Sequence, residues 1–472
     1  MTKESLTHTS ALKKQKPMPK WIRNRILYQV FPDLFFKDNS NEVPQKYYGG
    51  TLKGIILKLD YIKDFGFNAI YLNPIFKAET NHRYDVLDYF QTDPILGTNE
   101  DFETLVKECH KRDIKVILDI PFNHTSQNHP WFKEAKNNNS KYKNYFFTDE
   151  GDYNRWRGSD LVELNLDNPE VLEELITGSR SVLKFWMDKG IDGVRLDCAN
   201  DLGMKVVKLI RDTAHKWNDN FLVMGEVFNF AGEWSKVLDS LQSYYLTGLL
   251  FSIVNSEISI QTFSNALDHI ISDFDYEVLL NSLNILSSHD TTRVLDRIND
   301  MKIYKILLAI QFTFPGVPVV LYGEEVGIRS TKIGEASARN VMVFDENNWN
   351  SDVVKLYKTF IQLRKSRKEL QEGKFKNLTN LTDYKLISFI RYSDKREEFS
   401  IVVINPKNER VRKRIYIPYS HFHDALKVRD YFSGREFICE ISSINVDLEP
   451  YQVMLLTPEW KYIKGYSFYK RQ

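Results

Sequence analysis

Cysteine is scarce in this chain of 472 residues, which contains Cys109, Cys198 and Cys439 and no others. The three lie far apart, their number is odd, and no two have the C-x-x-C spacing typical of zinc and redox sites. These features argue against a disulfide framework and against a structural zinc site. We therefore expect a reducing, cytoplasmic compartment.

An excess of charge of one sign is also absent, because 64 lysines and arginines balance 63 aspartates and glutamates. The net charge of +1 gives no reason to expect nucleic acid or an anionic membrane as a partner. The first 20 residues lack an apolar run of the secretory type, so we expect no signal peptide.

One uncharged stretch, residues 306–323, has the composition of a membrane segment. Pro315, Gly316 and Pro318 interrupt it, whereas a spanning helix needs about 20 apolar residues without such a break. The pattern predicts a buried helix, a turn and a buried strand, and we expect no membrane partner.

Short β-rich runs alternate with longer helical patterns from about residue 21 to residue 370. Such alternation predicts an α/β fold with a parallel sheet, and eight strand–helix units predict a closed (β/α)8 TIM barrel. The expected strands span residues 26–30, 69–72, 115–119, 193–197, 222–226, 238–244, 283–287 and 319–322. Helical patterns between them include residues 99–112 and 169–189.

The alternation stops twice. It gives way to a polar, aromatic stretch after the third strand, and to short β-rich runs separated by turn residues near the C-terminus. Inserted stretches of this length usually carry function. The predicted domains are an N-terminal tail (1–20), the barrel (21–125 and 165–375), an inserted domain (126–164) and a C-terminal antiparallel β-sandwich (376–472).

Three acidic residues follow separate strand-like runs: Asp197 closes Gly-Val-Arg-Leu-Asp, Glu226 follows Phe-Leu-Val-Met-Gly, and Asp290 follows His289. In a TIM barrel the C-terminal strand ends form one rim, so these carboxylates are expected to converge. Cleaving an acetal needs a carboxylate that attacks, a carboxylic acid that protonates the leaving oxygen, and polar groups that hold the sugar hydroxyls.

The local patterns suit these roles, although each has a structural alternative. Arg195 points the same way as Asp197 along the strand and is expected to keep it ionised, but a structural ion pair has the same pattern. The apolar run before Glu226 predicts a raised pKa and a protonated acid, but a helix cap is the alternative. The joint occurrence of these segments in one order favours the chemical interpretation.

Four segments in this order resemble the sequence regions of the α-amylase family, glycoside hydrolase family 13: residues 119–124, 193–197, 225–227 and 288–290. The resemblance implies that Asp197 is the nucleophile, that Glu226 is the acid/base and that Asp290 stabilises the transition state. It also implies a set of substrate-binding residues, with Tyr84, Phe122 and Phe228 as ring surfaces for the sugar. The full set is Tyr84, Asp85, His124, Arg195, His289, His82, Phe122, Phe228, Asn200 and Arg293.

Finer patterns at residues 81–85, 164–169, 199–201 and 287–291 are similar to cyclomaltodextrinases, neopullulanases and maltogenic amylases. Those enzymes hydrolyse cyclodextrins, pullulan and short maltodextrins. The resemblance implies a retaining α-glucan hydrolase with a covalent glucosyl-enzyme intermediate and an oligosaccharide partner, and it includes a homodimer among the expected states. A transglycosylase or sucrose/maltose isomerase, and a non-catalytic carbohydrate-binding protein, stay as alternatives.

The sequence departs from the family pattern at two places. Phe228 and Asn229 follow the acid/base segment in place of tryptophan and histidine, and Thr51 stands where an aspartate often binds calcium. The remaining candidate oxygen ligands for calcium are Asp38, Asn39 and Asn41. We expect no required cofactor and name no metal ligand, with calcium as the alternative.

Overall fold

The computed structural model describes residues 18–38, 44–137, 141–298, 300–330 and 336–459. Within these ranges eight parallel strands close into a barrel in which each strand pairs with the next and the last pairs with the first. The (β/α)8 prediction is therefore confirmed. The strands are β1 Leu27–Val30, β2 Ala69–Leu72, β3 Lys115–Ile120, β4 Gly193–Leu196, β5 Leu222–Val227, β6 Ser240–Ser243, β7 Leu283–Asn284 and β8 Val317–Leu321.

Side chains of the barrel strands alternate between two cores, because successive residues of a strand point to opposite faces. In β2, Ala69 and Tyr71 point into the barrel, whereas Ile70 and Leu72 pack against the surrounding helices. Both faces are covered, which explains why these strands are almost continuously apolar. The inner core consists mainly of Leu27, Ala69, Tyr71, Ile117, Leu222, Met224, Leu283, Val317 and Val319.

Several helices around the barrel begin at a side chain that caps the first turn. The helix Asn99–Lys111 starts at a capping box in which Thr98 and Asp101 bond reciprocally to each other's backbone N–H. The other helices of six or more residues are Leu52–Leu57, Leu59–Phe65, Pro130–Lys136, Val182–Asp188, Ala199–Trp217, Tyr244–Val254, Ile260–Asp273, Tyr276–Asn281, Met301–Thr313 and Ser351–Ser366. The shorter ones are Pro32–Phe35, Pro169–Leu172, Val294–Arg297 and Lys368–Glu372.

The uncharged stretch near residue 310 forms the end of the helix Met301–Thr313, a turn and strand β8, as predicted. None of the helices in the described ranges combines the length and apolar character that crossing a bilayer requires.

Two predicted elements differ from the structure. The single helix expected over residues 169–189 is broken, because Gly178 is extended (φ −70°, ψ 151°) and a Cβ there would lie 2.6 Å from the carbonyl oxygen of Glu173. Strand β7 ends at Asn284 rather than at residue 287, because the following residues leave the sheet and turn at Ser288, whose N–H bonds Thr291 Oγ1.

Two excursions of the chain rise above the C-terminal rim of the barrel. After β2, a hairpin of Phe76–Ala78 and Val86–Thr92 carries Tyr84 in its connecting loop. After β3, the inserted stretch forms an antiparallel pair, His124–Ser126 with Leu161–Glu163, and a small hairpin, Thr148–Asp149 with Asp152–Tyr153. Both excursions place side chains over the predicted site.

The C-terminal part forms an antiparallel sandwich, as predicted. Its larger sheet runs in the spatial order Lys374–Asn377, Ile387–Tyr392, Phe399–Ile404, Val453–Pro458, Lys427–Asp430 and Glu436–Ile438, and Val411–Tyr416 pairs with Ser443–Leu448. In the central strand, Ile401 and Val403 face the sandwich core while Val402 and Ile404 join the barrel core. Ile387 and Phe389 of one neighbouring strand, and Val453 and Leu455 of the other, also join the barrel core, so three adjacent strands attach this domain to the barrel.

Candidate active site

Arg195 occupies the centre of the predicted site and is fully buried on β4. Its Nη1 donates to Asp197 Oδ1 at 2.7 Å and to both carboxylate oxygens of Asp119 at 3.0 and 3.1 Å. Its Nη2 forms an ion pair with Glu226 Oε1 without hydrogen-bond alignment. One guanidinium therefore contacts the carboxylates of β3, β4 and β5.

Glu226 lies in the interior of β5 and is almost inaccessible. Its Oε2 accepts the backbone N–H of Cys198 at 3.1 Å, which links it to the residue that follows Asp197. Burial raises the pKa of Glu226 to about 8, although Arg195 opposes the shift. A carboxyl group with this pKa is protonated near neutrality, which is the state that a general acid requires.

Asp290 is the most accessible of the three predicted catalytic carboxylates. His289 Nε2 lies 3.0 Å from its Oδ2, and Arg339 Nη2 donates to its Oδ1 at 2.8 Å. Burial alone would raise the pKa of Asp290, but its interactions with His289 and Arg339 hold that pKa well below its usual range. Asp290 therefore stays ionised at neutral pH.

Tyr84 brings the hairpin loop after β2 into contact with the barrel rim. Its hydroxyl donates to Asp119 Oδ2 at 2.8 Å and lies 2.8 Å from His289 Nε2, and its ring stacks on that imidazole at an 11° interplanar angle. His82 and Asp85 flank it, with His82 Nδ1 accepting the Tyr84 N–H. Burial lowers the pKa of His82 to about 4 and raises that of Asp85.

His124 lies at the foot of the inserted domain, 4.0 Å from Asp197 Oδ2 through its Nε2. That nitrogen is buried and has no hydrogen-bond partner among the described residues. Trp156 covers the imidazole with a ring-centroid distance of 4.9 Å, and its Nε1 donates to Asp201 Oδ2 at 2.8 Å. Burial lowers the pKa of His124, so its ring is neutral and offers a polar atom next to Asp197.

Phe228 presents its ring at the mouth of the site and is 48% exposed. It stacks on Tyr244 with a centroid distance of 4.8 Å and an interplanar angle of 2°. Asn200 holds the loop in place, since its Oδ1 accepts the Phe228 N–H and its Nδ2 donates to Asn229. Both polar atoms of Asn200 are therefore used in shaping the loop.

Two predicted substrate-binding residues are fully buried and contact other parts of the protein. Phe122 is fully buried in the core that surrounds the barrel, so the prediction that its ring forms a surface for the sugar is wrong. Arg293 is also fully buried and donates to Asn340 Oδ1 and to the Tyr322 carbonyl oxygen, 3.7 Å from Glu324. Its guanidinium supports the loop after β8, and its contact with substrate stays a prediction.

The structure adds site residues that sequence reasoning missed. Asp119 was within a recognised segment, and its register opposite Arg195 on adjacent parallel strands could have signalled the pair once the sheet order was known. Trp156 and Arg339 lie in stretches without periodicity, where no local signal marks a contact. Gln242 lies in β6 and Tyr244 directly follows it, and this strand has no carboxylate of its own.

Within the described residues, the ligand atoms of His124, Asp197 and Cys198 lie within 4.8 Å of one another, close enough to hold a metal ion. Burial raises the pKa of the Cys198 thiol well above its usual value, so the group is a poor metal ligand. Asp197 already accepts a hydrogen bond from the Arg195 guanidinium. The donor set therefore does not favour a metal.

Of the residues considered for calcium, Asn39 and Asn41 lie outside the described residues. Thr51 caps the helix Leu52–Leu57 by accepting the Gly54 N–H, which is a structural role.

Comparison with known proteins agrees with this geometry. A family model described as "Alpha amylase, catalytic domain" matches residues 29–347. A cyclomaltodextrinase from Bacillus sp is 31% identical over 417 residues, which cover 82% of this chain and 73% of that protein. Neopullulanase 2 from Thermoactinomyces vulgaris is 29% identical over 469 residues, covering 93% and 78%. A solved structure titled cyclomaltodextrinase superposes with a TM-score of 0.83 at 27% identity, covering 94% of this chain and 79% of that one.

Proposed function

The chain belongs to the α-amylase family of glycoside hydrolases, and we propose that it is a retaining hydrolase of α-glucosidic bonds in cyclodextrins, pullulan or short maltodextrins. The substrate class is supported by the names of its relatives, a cyclomaltodextrinase and a neopullulanase.

The observation that carries this proposal is the shared contact of Arg195 with Asp197 and Glu226. Retaining glycosidases need a nucleophile and an acid/base with carboxyl groups about 5–5.5 Å apart. A single guanidinium between the two carboxylates is suited to a separation of this order. Its Nη1 also orients Asp197 by donating to Oδ1, while burial keeps Glu226 protonated.

The proposed reaction is a double displacement. Asp197 attacks the anomeric carbon while Glu226 transfers its proton to the leaving glycosidic oxygen, which gives a glucosyl ester on Asp197. Water then gives a proton to the Glu226 carboxylate and displaces Asp197, so the product keeps the α configuration. Asp290 is suited to stabilise the positive charge that develops on the sugar, because it stays ionised beside that position.

The sugar itself is expected to lie between Tyr84 and His124. Tyr84 offers a ring held by Asp119 and His289, and His124 offers a ring nitrogen beside Asp197 that has no hydrogen-bond partner in the described part of the chain. The exposed ring of Phe228 is placed to carry the next sugar on the leaving-group side, since it stacks on the tyrosine that contacts Glu226.

Product analysis tests the proposal. The purified protein is incubated separately with γ-cyclodextrin, pullulan, maltotriose and sucrose, and the products are separated and their anomeric form is followed by NMR. Glucose and maltose of initial α configuration from γ-cyclodextrin support the proposal. A rearranged disaccharide from sucrose indicates an isomerase, larger oligosaccharides indicate a transglycosylase, and no turnover of any substrate indicates a binding protein.

We also propose a compartment, a metal dependence and an oligomeric state for the enzyme. Its three cysteines are free and buried, which suits a reducing cytoplasm. Full activity after dialysis against EDTA is expected of a metal-independent mechanism. A homodimer is part of the proposal, and sedimentation equilibrium tests it.

A further inference from the structure

Strand β6 supplies no carboxylate, yet its end reaches the predicted acid/base. Gln242 lies directly opposite Glu226 in the register between β5 and β6, and its side chain is buried. Tyr244 follows two residues later as the first residue of the next helix. These two side chains have no role in the mechanism described above.

The orientation of the Gln242 amide is fixed by its neighbours. Arg195 Nε can only donate, so Gln242 must present its oxygen to it, at 3.1 Å. The amide nitrogen of Gln242 then faces the hydroxyl of Tyr244 and donates to it at 3.1 Å. The buried arginine therefore determines which group faces the tyrosine.

The Tyr244 hydroxyl, having accepted from Gln242, is left with its own proton to donate. Two acceptors are within reach, Glu226 Oε1 at 3.3 Å and Ser288 Oγ at 3.0 Å. Ser288 Oγ in turn accepts the backbone N–H of Asp290 at 3.3 Å. Tyr244 thus lies between the acid/base and the loop that carries the third carboxylate, and its ring is held by the parallel stack with Phe228.

These contacts close a ring of four side chains: Arg195, Gln242, Tyr244 and Glu226. Within this ring, Glu226 Oε1 forms the ion pair with Arg195 and accepts a hydrogen bond from the Tyr244 hydroxyl. Glu226 Oε2 accepts a hydrogen bond from the Cys198 N–H. The carboxyl group is restrained at both oxygens, which fixes the direction in which it can deliver a proton.

We infer that Gln242 and Tyr244 are positioning residues that orient Glu226 for proton transfer to the leaving group. The inference rests on the proposed function, because it assigns Glu226 as the acid. Donation by the Tyr244 hydroxyl also favours the ionised carboxylate, so it restrains the upward pKa shift that burial causes. The other titratable and charged groups that face Glu226 are Arg195, Asp197, Asp290, Asp119, Tyr71 and Cys198.

Tyr244→Phe removes the hydroxyl and keeps the ring that stacks on Phe228. The test compares two substrates: maltotriose, whose leaving oxygen needs a proton, and α-maltosyl fluoride, whose fluoride leaves without one. We expect turnover of maltotriose to fall about 100-fold, since general acid catalysis contributes about 100- to 10,000-fold. Turnover of the fluoride should fall far less, and the alkaline limb of kcat/KM for maltotriose should move to higher pH.

Tyr245→Phe is the matched control, because it makes the same chemical change one residue further along, where the ring packs against Phe230. Its activity on both substrates and its pH profile are expected to equal those of the wild type. Gln242→Leu tests the second positioning residue and should also lower turnover of α-maltosyl fluoride less than turnover of maltotriose. A melting temperature is recorded for each variant.

Equal losses of Tyr244→Phe on both substrates, or an unmoved alkaline limb, would overturn the inference while leaving the hydrolase assignment intact. Failure of the wild-type protein to turn over any of maltotriose, α-maltosyl fluoride, γ-cyclodextrin and pullulan would instead refute the proposed function.

Discussion

Arg195 and Asp119 lie opposite each other on neighbouring parallel strands, and both are fully buried. Arg195 Nη1 donates to both carboxylate oxygens of Asp119, at 3.0 and 3.1 Å, which places an ion pair inside the barrel mouth. The hydroxyls of Tyr71 and Tyr84 also donate to the Asp119 carboxylate. This pair fixes the guanidinium that contacts the predicted nucleophile and acid/base.

Replacing Asp119 by alanine should therefore destabilise the protein strongly. The change leaves Arg195 with less compensating charge in a buried position, and breaking such a pair costs about 3–5 kcal/mol. Denaturant unfolding followed by circular dichroism measures the change in the free energy of unfolding. Asp60→Ala is the control, because Asp60 pairs with Arg112 at the surface and its loss should change stability little. Equal stabilities of the two variants would contradict the structural role of Asp119.

Asp197→Asn should abolish hydrolysis without unfolding the protein. The amide cannot attack the anomeric carbon, and removing a nucleophile of this kind lowers kcat by about 10,000-fold or more. The control is Asp188→Asn, at an exposed position paired with Lys184 on a helix, which should keep wild-type activity. Initial rates on γ-cyclodextrin and a far-ultraviolet circular dichroism spectrum check both points; turnover within tenfold of wild type would show that another group attacks.

The pH dependence of kcat/KM should have an alkaline limb near pH 8. Glu226 must be protonated to act as an acid, and its pKa in the free enzyme is about 8 because of burial. Activity should therefore fall as the pH rises through this value. Rates on maltotriose between pH 5 and pH 10 measure the limb, and a profile that stays flat to pH 10 would contradict the assignment.

Glu226→Gln should change how stability depends on pH. The pKa of Glu226 is about 8 in the folded protein against an ordinary value of 4.5, so between these values the folded state holds a proton that the unfolded state has lost. This contribution to stability is fully present below about pH 4.5 and is lost as the pH rises through about 8. Glutamine does not titrate. The difference in melting temperature, variant minus wild type, should therefore increase between pH 5 and pH 9. An unchanged difference would contradict the raised pKa.

Trp156→Ala should weaken substrate binding more than it slows the chemical step. The indole covers His124 and bonds to Asp201, so its removal exposes the imidazole to water. Aromatic contacts of this kind are worth about 0.5–1.5 kcal/mol, which corresponds to an increase in KM of up to about tenfold. Trp156→Phe keeps a ring over His124 and should stay within about twofold of the wild type. A loss confined to kcat would indicate a different role for Trp156.

Much of the fold could be predicted from local patterns. Strand runs of uniform apolar character predicted the eight barrel strands, since a parallel strand is buried on both faces. The errors fell where periodicity is weak, at the end of β7 and at the break near Gly178. Both depend on contacts a few residues away, of Gly178 with the Glu173 carbonyl oxygen and of Ser288 with the Thr291 hydroxyl, which apolar periodicity does not describe.

The candidate site could likewise be predicted only in part from the sequence. The two-residue spacing of Arg195 and Asp197 determined that both point into the site, because side chains of a strand alternate. Phe122 lay within a recognised segment and Arg293 lay close to one, but position in the sequence does not determine burial. Phe122 packs in the core around the barrel and Arg293 bonds to the loop after β8, and no local pattern predicts either contact.

The sequence by itself determined the order of the elements and the residue types at the ends of the strands, because these follow from side-chain alternation and apolar periodicity over a few residues. Only the tertiary structure decided which groups touch: Arg195 with Asp119 and Gln242, Trp156 with His124, and Tyr244 with Glu226. The physical reason is that closing the barrel and folding the loops over its rim bring together groups from separate strands and loops, and the contacts they form then set burial and charge.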